Sequence, residues 1–121
     1  MIHNFEEMYV WQKAMQLVRE VYRLVKLLPK EETYALSDQM RRAAISIPSN
    51  IAEGQQRGSV NEFIHFLTIA KGSSGELLTQ LIICNQLNYL TKDQTTIAVD
   101  LTKQINKMLY SLITTLRNGN Y

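Results

Sequence analysis

The chain has 121 residues, 45% of them apolar and 20% charged, which is the balance of a single globular domain, residues 1–121, with its own core. Its one cysteine, Cys84, excludes an intramolecular disulfide and a thiolate metal cluster, and a net charge of +2 favours no class of partner by itself. Charged or polar residues interrupt every apolar run before the roughly 20 residues of a membrane span, and no signal peptide is apparent, so we expect a cytoplasmic protein without membrane contact.

The first predicted helix opens at a capping sequence from Asn4 to Glu7 and ends near Pro29. Its apolar residues are three or four positions apart, which is the spacing of a bundle helix. These residues are Trp11, Ala14, Val18, Val21, Val25 and Leu28.

The second predicted helix starts near Thr33 or Ser37 and reaches about Arg57, where Gly58 provides a C-terminal stop. Pro48 lies inside it, and a proline there removes one helical hydrogen bond. Because the apolar residues keep their helical phase on both sides of Pro48, we predict one kinked helix rather than two. The kink either bends the helix around the bundle or shapes a binding or assembly surface.

Two capping boxes open the remaining helices. The first runs from Ser59 to Glu62 and the second from Thr91 to Gln94. The connections are short, and short connections force neighbouring helices to run antiparallel. We therefore predict an all-α fold, an antiparallel up-and-down four-helix bundle. The apolar seam of the fourth helix is Ile97 or Ala98, Leu101, Ile105, Met108, Leu112 and Leu116.

Small residues are concentrated on the second and third helices. Glycine inside a helix costs about 1 kcal/mol relative to alanine, so a close neighbour is the simplest reason for it. We expect the two helices to approach closely along these residues: Ala43, Ala44, Ser46, Ser49, Ala52 and Gly54 on one, with Ala70, Gly72, Ser73, Ser74 and Gly75 on the other.

These segments, read together, resemble one protein family over nearly the whole chain. The most specific string is Ser-Ile-Pro-Ser-Asn-Ile-Ala-Glu-Gly at 46–54, supported by Trp-Gln-Lys-Ala at 11–14, Gln-Met-Arg-Arg-Ala at 39–43, Glu-Phe at 62–63 and Gly-Ser-Ser-Gly-Glu at 72–76. The chain is similar to the four-helix bundle proteins named for 23S rRNA intervening sequences, which are sometimes mislabelled as ribosomal proteins.

The resemblance implies an up-and-down bundle that assembles as a homopentamer. It also implies kinship with the accessory protein of diversity-generating retroelements, a basic pentameric barrel that binds a reverse transcriptase and nucleic acid. The family name records where some of the genes lie, inside inserts in rRNA genes, and does not itself define a biochemical activity.

The third helix carries apolar residues around most of its circumference. A helix of a monomeric bundle needs one apolar stripe, so a second stripe predicts a surface buried by assembly. The alternative is one wide stripe absorbed entirely by neighbouring helices. The expected oligomer interface is Phe66, Ile69, Ser73, Glu76, Gln80, Ile83 and Leu87.

A basic stripe on the first helix predicts nucleic-acid binding. Arg19, Arg23, Lys26 and Lys30 recur at helical spacing with no acid in the stripe, and Lys103 and Lys107 add a sparser set on the fourth helix. Such a ladder suits phosphates, and without a base-reading motif it would bind RNA or DNA independently of sequence. The alternative is an ordinary solvated face.

A polar set on the second helix, with Glu76 on the third, is interpreted as a structural network rather than a metal or acid–base site. Its members are Arg42, Ser46, Ser49, Glu53 and Glu76. No catalytic, metal or cofactor residues are predicted. Glu62 and His65 match a di-iron motif by spacing, but the second copy that such a site requires is missing. Cys84 and His3 lack a partner for nucleophilic catalysis.

The sequence therefore predicts a non-enzymatic oligomer that binds nucleic acid through a basic face. The alternative is an adaptor for a protein partner, such as a polymerase, without nucleic-acid binding of its own.

Overall fold

The computed structural model describes residues 4–119. Within that range the chain forms four α helices and two short 3-10 turns, and it contains no strand. The helices are α1 (Tyr9–Val25), α2 (Leu36–Gln56), α3 (Val60–Gln86) and α4 (Lys92–Arg117), and the 3-10 turns are Phe5–Glu7 and Lys30–Glu32. The all-α bundle prediction is confirmed.

The helices are arranged in a square. α1 and α3 each lie next to α2 and α4, and within the described chain no Cα atoms of α1 and α3, or of α2 and α4, come within 8 Å of each other. Between α2 and α3, Ser46 meets Ser73 and Met40 meets Cys84, so residue numbers rise on one helix as they fall on the other. α1 and α3 therefore occupy opposite corners, and each presents an outward face that the other does not cover.

α1 is shorter at both ends than the sequence predicted. The Asn4 side chain accepts a hydrogen bond from the Glu6 amide, but it caps the 3-10 turn, and α1 begins only at Tyr9. At the other end α1 stops at Val25, four residues before Pro29. Pro29 has no amide hydrogen to donate to the Val25 carbonyl, and that carbonyl accepts from the Leu28 amide instead, in a tighter turn that ends the helix.

α2 continues through Pro48 as one helix. Pro48 and its neighbours Ile47 and Ile51 are buried, so packing against the core offsets the hydrogen bond that the proline ring removes. α2 ends as predicted, with Arg57 as C-cap and Gly58 at a φ of +77°, a left-handed conformation that favours glycine.

At Gly54, α2 and α3 approach so closely that there is no room for a side chain on α2. A Cβ atom at Gly54 would lie 2.8 Å from the Phe66 Cβ and 3.1 Å from the Phe63 Cδ1. The Phe66 Cβ is bonded to the α3 backbone and the Phe63 carbonyl oxygen, 3.3 Å away, belongs to it, so neither can move without moving α3. The expectation of close approach is correct at this position.

The same expectation is wrong for Gly72 and Gly75. A Cβ at either position would meet nothing within 4 Å, because both glycines lie on the side of α3 that faces away from α2. Ser73, between them, does face α2, and its Oγ lies 2.8 Å from the Ser46 Oγ. Successive helical residues are 100° apart, so only one of the three can point at the neighbour.

α3 ends at a turn built around Asn88. Asn88 has a φ of +59°, and the Tyr89 amide donates to the Cys84 carbonyl at 2.9 Å while the Asn88 amide donates to the Asn85 carbonyl. This is a Schellman motif with asparagine in place of the usual glycine. Thr91 and Gln94 then form a complete capping box for α4, whereas Ser59 caps α3 through the Glu62 amide.

The core lies between the four helices and takes one apolar face from each. On α4 it is Ala98, not Ile97, that belongs to the buried seam, while Leu101, Met108 and Leu112 are only half-buried. Among the largest side chains fully withdrawn from solvent are Leu17, Leu24, Met40, Ile47, Ile51, Leu67, Leu77, Leu81, Ile105 and Leu109.

Glu32 joins three parts of the fold. One carboxylate oxygen accepts from the Leu36 amide at the start of α2, and the other accepts from the Tyr89 hydroxyl at 2.9 Å. The hydrogen bond to Glu32 and burial both raise the pKa of Tyr89. The side chain therefore caps α2, which has no capping residue of its own, and ties it to the α3–α4 turn.

We predict that Gly54→Ala destabilises the protein by about 1–3 kcal/mol, because the added methyl overpacks a contact between two backbones. Gly75→Ala is the matched control, since its methyl enters open space and alanine is the better helix former by about 1 kcal/mol. Urea unfolding followed by circular dichroism measures both. If both substitutions changed the free energy of unfolding equally and in the same direction, the proposed role of Gly54 would be contradicted.

Candidate nucleic-acid interface

The outward face of α1 carries exposed cations, as the sequence predicted. Arg19, Arg23 and Lys26 are all exposed, together with Gln12 and Gln16. Within the described residues, neither Arg19 nor Lys26 has a carboxylate at ion-pair distance. These two charges are therefore available to an anionic partner.

Arg23 is already paired with an acid. Its guanidinium makes two hydrogen bonds to the Glu20 carboxylate, at 2.9 and 2.6 Å, and this raises the pKa of Arg23. The prediction of a stripe without acids is wrong here, because Glu20 lies one helical turn before Arg23 and reaches across to it.

Lys30 does not belong to the α1 face. It is exposed, but it lies in the 3-10 turn that follows Pro29, after α1 has ended. The α1 face therefore holds three of the four predicted cations, with Lys26 at the C-cap of the helix.

The two lysines of α4 are exposed but do not extend the α1 face. Lys103 lines a groove between α3 and α4, with Leu78, Ile82 and Val99 among the residues around it. Arg19 and Arg23 instead line a shallow groove between α1 and α4, whose other wall includes the apolar side chains of Ile97 and Leu101. Lys107 is one turn beyond Lys103 on α4 and is likewise exposed.

The predicted oligomer seam on α3 divides into an inner and an outer part. Phe66 packs over Gly54, Ser73 bonds to Ser46, and Gln80 is 4% exposed, so these three serve contacts within the chain. The remaining four residues of the seam are exposed: Ile69, Glu76, Ile83 and Leu87. This outer part is called the α3 edge below.

Gln80 lies beside the α3 edge with one unsatisfied atom. Its Oε1 is buried and has no hydrogen-bond partner among the described residues. Leaving a buried acceptor unpaired costs roughly 1–3 kcal/mol. The sequence pattern does not predict that Gln80 is buried, since a glutamine at this position of a helix could equally face solvent.

The predicted polar network of α2 does not form as one unit. Arg42 pairs with Asp38 at 3.0 Å, and Glu53 pairs with Arg57 at 2.9 Å, each one turn away on α2 itself. Only Ser46 links to α3. Ser49 lies in a groove on the α1 side of α2, and Glu76 is exposed without an ion pair in the described chain.

Arg57 forms a small cluster at the α2–α3 turn. Its guanidinium lies 5.0 Å from the centre of the Phe66 ring and 3.8 Å from Glu62. The Phe66 ring also meets the His65 ring edge-on at 5.2 Å. Of the two residues that match the di-iron spacing, His65 therefore packs against an aromatic ring and Glu62 pairs with Arg57.

The described part of the chain contains no group of side chains suited to bind a metal ion. No three histidine, cysteine, aspartate or glutamate residues there are close enough to hold a metal ion. Cys84 is buried, its Sγ lies 3.6 Å from the Met40 Sδ, and burial raises the pKa of its thiol to about 11. His3 lies outside the described residues.

No helix within residues 4–119 is long and apolar enough to cross a membrane. This finding rests on the described residues alone.

Comparison with known proteins assigns this chain to a family. The family model described as 23S rRNA-intervening sequence protein matches residues 6–111. The chain belongs to that family. The prediction made from the residues at 46–54 and 72–76 is thereby confirmed.

One solved structure is similar to this chain. It is a protein of unknown function from the S23 ribosomal protein family of Bacteroides thetaiotaomicron, 30% identical to this chain, with a TM-score of 0.80 over 86% of this chain and 97% of its own. No curated protein matches the chain. Family membership therefore establishes the fold, and the structure of this chain must supply the argument for function.

We predict that the Cys84 thiol of the folded protein resists alkylation at pH 8. Raising its pKa from 9.0 to about 11 lowers the thiolate fraction at this pH roughly a hundredfold, and burial blocks the reagent as well. Mass spectrometry after iodoacetamide treatment measures the modification, with the urea-unfolded protein as the positive control. Similar labelling rates in both states would mean that the thiol is accessible and reactive.

Proposed function

We propose that this protein is a cytoplasmic, non-enzymatic homo-oligomer that binds RNA or DNA through the outward face of α1, without reading base sequence. The observation that carries the proposal is the pair of exposed cations, Arg19 and Lys26, that have no carboxylate partner within the described chain. Arg23 lies between them with its charge shared with Glu20. Phosphate groups are the partners that such a helix face suits best.

The square arrangement of helices supports combining binding with assembly. Because α1 and α3 sit at opposite corners, a contact made through the α3 edge leaves the α1 face open. Each added copy would then repeat the basic face on the outside of the assembly. Repetition raises the local positive field and the number of phosphates that one particle can contact.

The case for assembly rests on the α3 edge. Ile69, Ile83 and Leu87 are between 37% and 52% exposed. Exposed aliphatic side chains that recur along one stripe of a helix favour a protein contact. We propose that five copies assemble, as the family resemblance implies.

A second candidate function is a protein adaptor, such as one that holds a polymerase. It is favoured by the groove between α3 and α4, whose apolar residues Leu78, Ile82 and Val99 are bordered by Lys92 and Lys103. An apolar floor with charged borders suits an amphipathic helix of a partner. Lys103 and Lys107 would then serve the protein partner rather than phosphates.

We predict that Arg19→Glu combined with Lys26→Glu weakens binding to a 15-base-pair DNA duplex. The loss of two phosphate contacts should flatten the slope of log affinity against log salt concentration by about 1.8. Fluorescence anisotropy across a salt series measures this. Lys103→Glu with Lys107→Glu tests the α4 lysines separately, and we expect a smaller change because they lie on a different side of the bundle.

The matched control is Lys71→Glu combined with Lys92→Glu, which changes the net charge by the same amount away from α1. If the control weakens binding equally, net charge rather than the α1 face is responsible. Absence of binding at low salt, with the fold intact by circular dichroism, would overturn the nucleic-acid proposal and favour the adaptor.

We predict that Ile69→Lys combined with Ile83→Lys dissociates the oligomer while the helix content stays unchanged. Two charges placed in an apolar contact would be desolvated without partners. Sedimentation velocity measures the mass of the particle. Ile82→Lys is the control, since Ile82 faces the α3–α4 groove instead of the α3 edge. A wild-type protein that sediments as a monomer would contradict the assembly proposal.

A further inference from the structure

Two tyrosines are interleaved with the polar residues of α1. Tyr9 is 76% exposed at the start of the helix, and Tyr22 is 38% exposed near its end. They are thirteen residues apart, about 20 Å along the axis of a helix and about 140° around it, so they border the cations of α1 on opposite sides. Both rings contribute apolar surface to a helix that otherwise presents amides and cations to solvent.

Tyr22 is flanked by the two available charges. Arg19 precedes it by three residues and Lys26 follows it by four, the separations at which side chains on a helix are neighbours. The Tyr22 side chain is more than half covered, which restrains the ring, but part of it remains open to a ligand. A partly anchored aromatic ring between two cations is the arrangement in which a base stacks while adjacent phosphates are neutralised.

Tyr9 borders the cations of α1 on the side opposite Tyr22, toward α4. With Gln12, Lys13 and Gln16 it lines a small depression, and Gln16 also lines the groove that contains Arg19 and Arg23. The two depressions therefore meet at one side chain.

We infer that the outward face of α1 binds single-stranded nucleic acid in preference to a duplex, with Tyr9 and Tyr22 stacking on unpaired bases. Arg19, Arg23 and Lys26 contact the phosphates between them. This inference rests on the proposed function and narrows its ligand. In a duplex the faces of the bases are stacked on each other, so only an unpaired strand can offer them to the two rings.

The acids near this face leave its middle and C-terminal end cationic. Glu20 is held by Arg23, and the Glu6 carboxylate accepts from the Asn4 amide nitrogen at the far end. Glu7 is exposed in the same 3-10 turn, just before Tyr9. The Tyr22 position, with no acid except Glu20 nearby on the helix, is accordingly the stronger of the two stacking positions.

The test compares three fluorescent probes of 15 units: oligothymidine, a fully abasic strand with the same phosphates, and a duplex. For Tyr22→Ala, anisotropy should show at least about a fivefold loss of affinity for oligothymidine, because stacking on an aromatic ring contributes that much or more per base. The same variant should bind the abasic strand and the duplex as the wild type does. Tyr22→Phe keeps the ring and should retain the affinity.

Tyr34→Ala is the matched control, because Tyr34 is 95% exposed but lies between α1 and α2, outside the α1 face. Tyr9→Ala should show the same pattern as Tyr22→Ala with a smaller loss. Circular dichroism establishes that each variant keeps its helix content.

The outcomes separate this inference from the binding proposal beneath it. If Tyr22→Ala leaves oligothymidine binding unchanged, or weakens all three probes equally, the stacking inference is overturned, while salt-dependent loss in the Arg19/Lys26 variant still supports binding through phosphates. If the wild type binds none of the probes at low salt, both proposals fail together.

Discussion

The square packing of the four helices is the constraint on which the rest of the molecule depends. Each helix contacts two neighbours and leaves its remaining face outward, since the helices across each diagonal do not meet in the described chain. A helix in such a bundle can bury only one stripe of side chains. Whatever else its sequence carries must face solvent, a ligand or another copy. α1 uses its outward face for glutamines, tyrosines and cations, and α3 presents exposed aliphatic residues.

The corner between α2 and α3 is the most tightly specified part of that square. Gly54 admits Phe63 and Phe66 to within contact of the α2 backbone, and the Ser46 and Ser73 hydroxyls bond across the same interface. The buried Pro48 lies between these contacts along α2. Because α2 continues through Pro48, it loses one backbone hydrogen bond, and the surrounding apolar packing offsets that loss. Rigid docking of α2 on α3 in turn fixes which side of α3 is turned outward, and therefore where Ile69 and Ile83 are exposed.

Four arginines of the described chain are held by acids, and its other cations have no carboxylate at ion-pair distance. Arg42 and Arg57 on α2 are each held by an acid one turn away on their own helix, and Arg23 is held in the same way on α1. Ion pairs at the surface contribute little to stability, but they decide which cations can meet an external anion. Arg19 and Lys26 are among the cations that lack such a partner within the described residues, and Tyr22 lies between them. What marks the outward face of α1 is therefore the combination of two unpaired cations with an exposed aromatic ring, and not the lack of ion pairs alone.

The spacing of apolar residues determined the four helices, because burying one face of a helix requires a repeat of 3.6 residues, and the small-residue strings identified the family. The capping sequences at Ser59 and Thr91 fixed two helix starts for an equally local reason, since a side-chain oxygen satisfies amides three residues away. Only the tertiary structure decided which neighbouring helix, or solvent, each side chain faces. It turned Gly72 and Gly75 away from α2 while Gly54 faces α3, buried Gln80 within the chain, gave Glu32 two partners distant in sequence, and put Lys103 on a different side of the bundle from Arg19. A repeat in sequence gives the phase of a face but not the neighbour it meets, because that neighbour is set by how the helices pack.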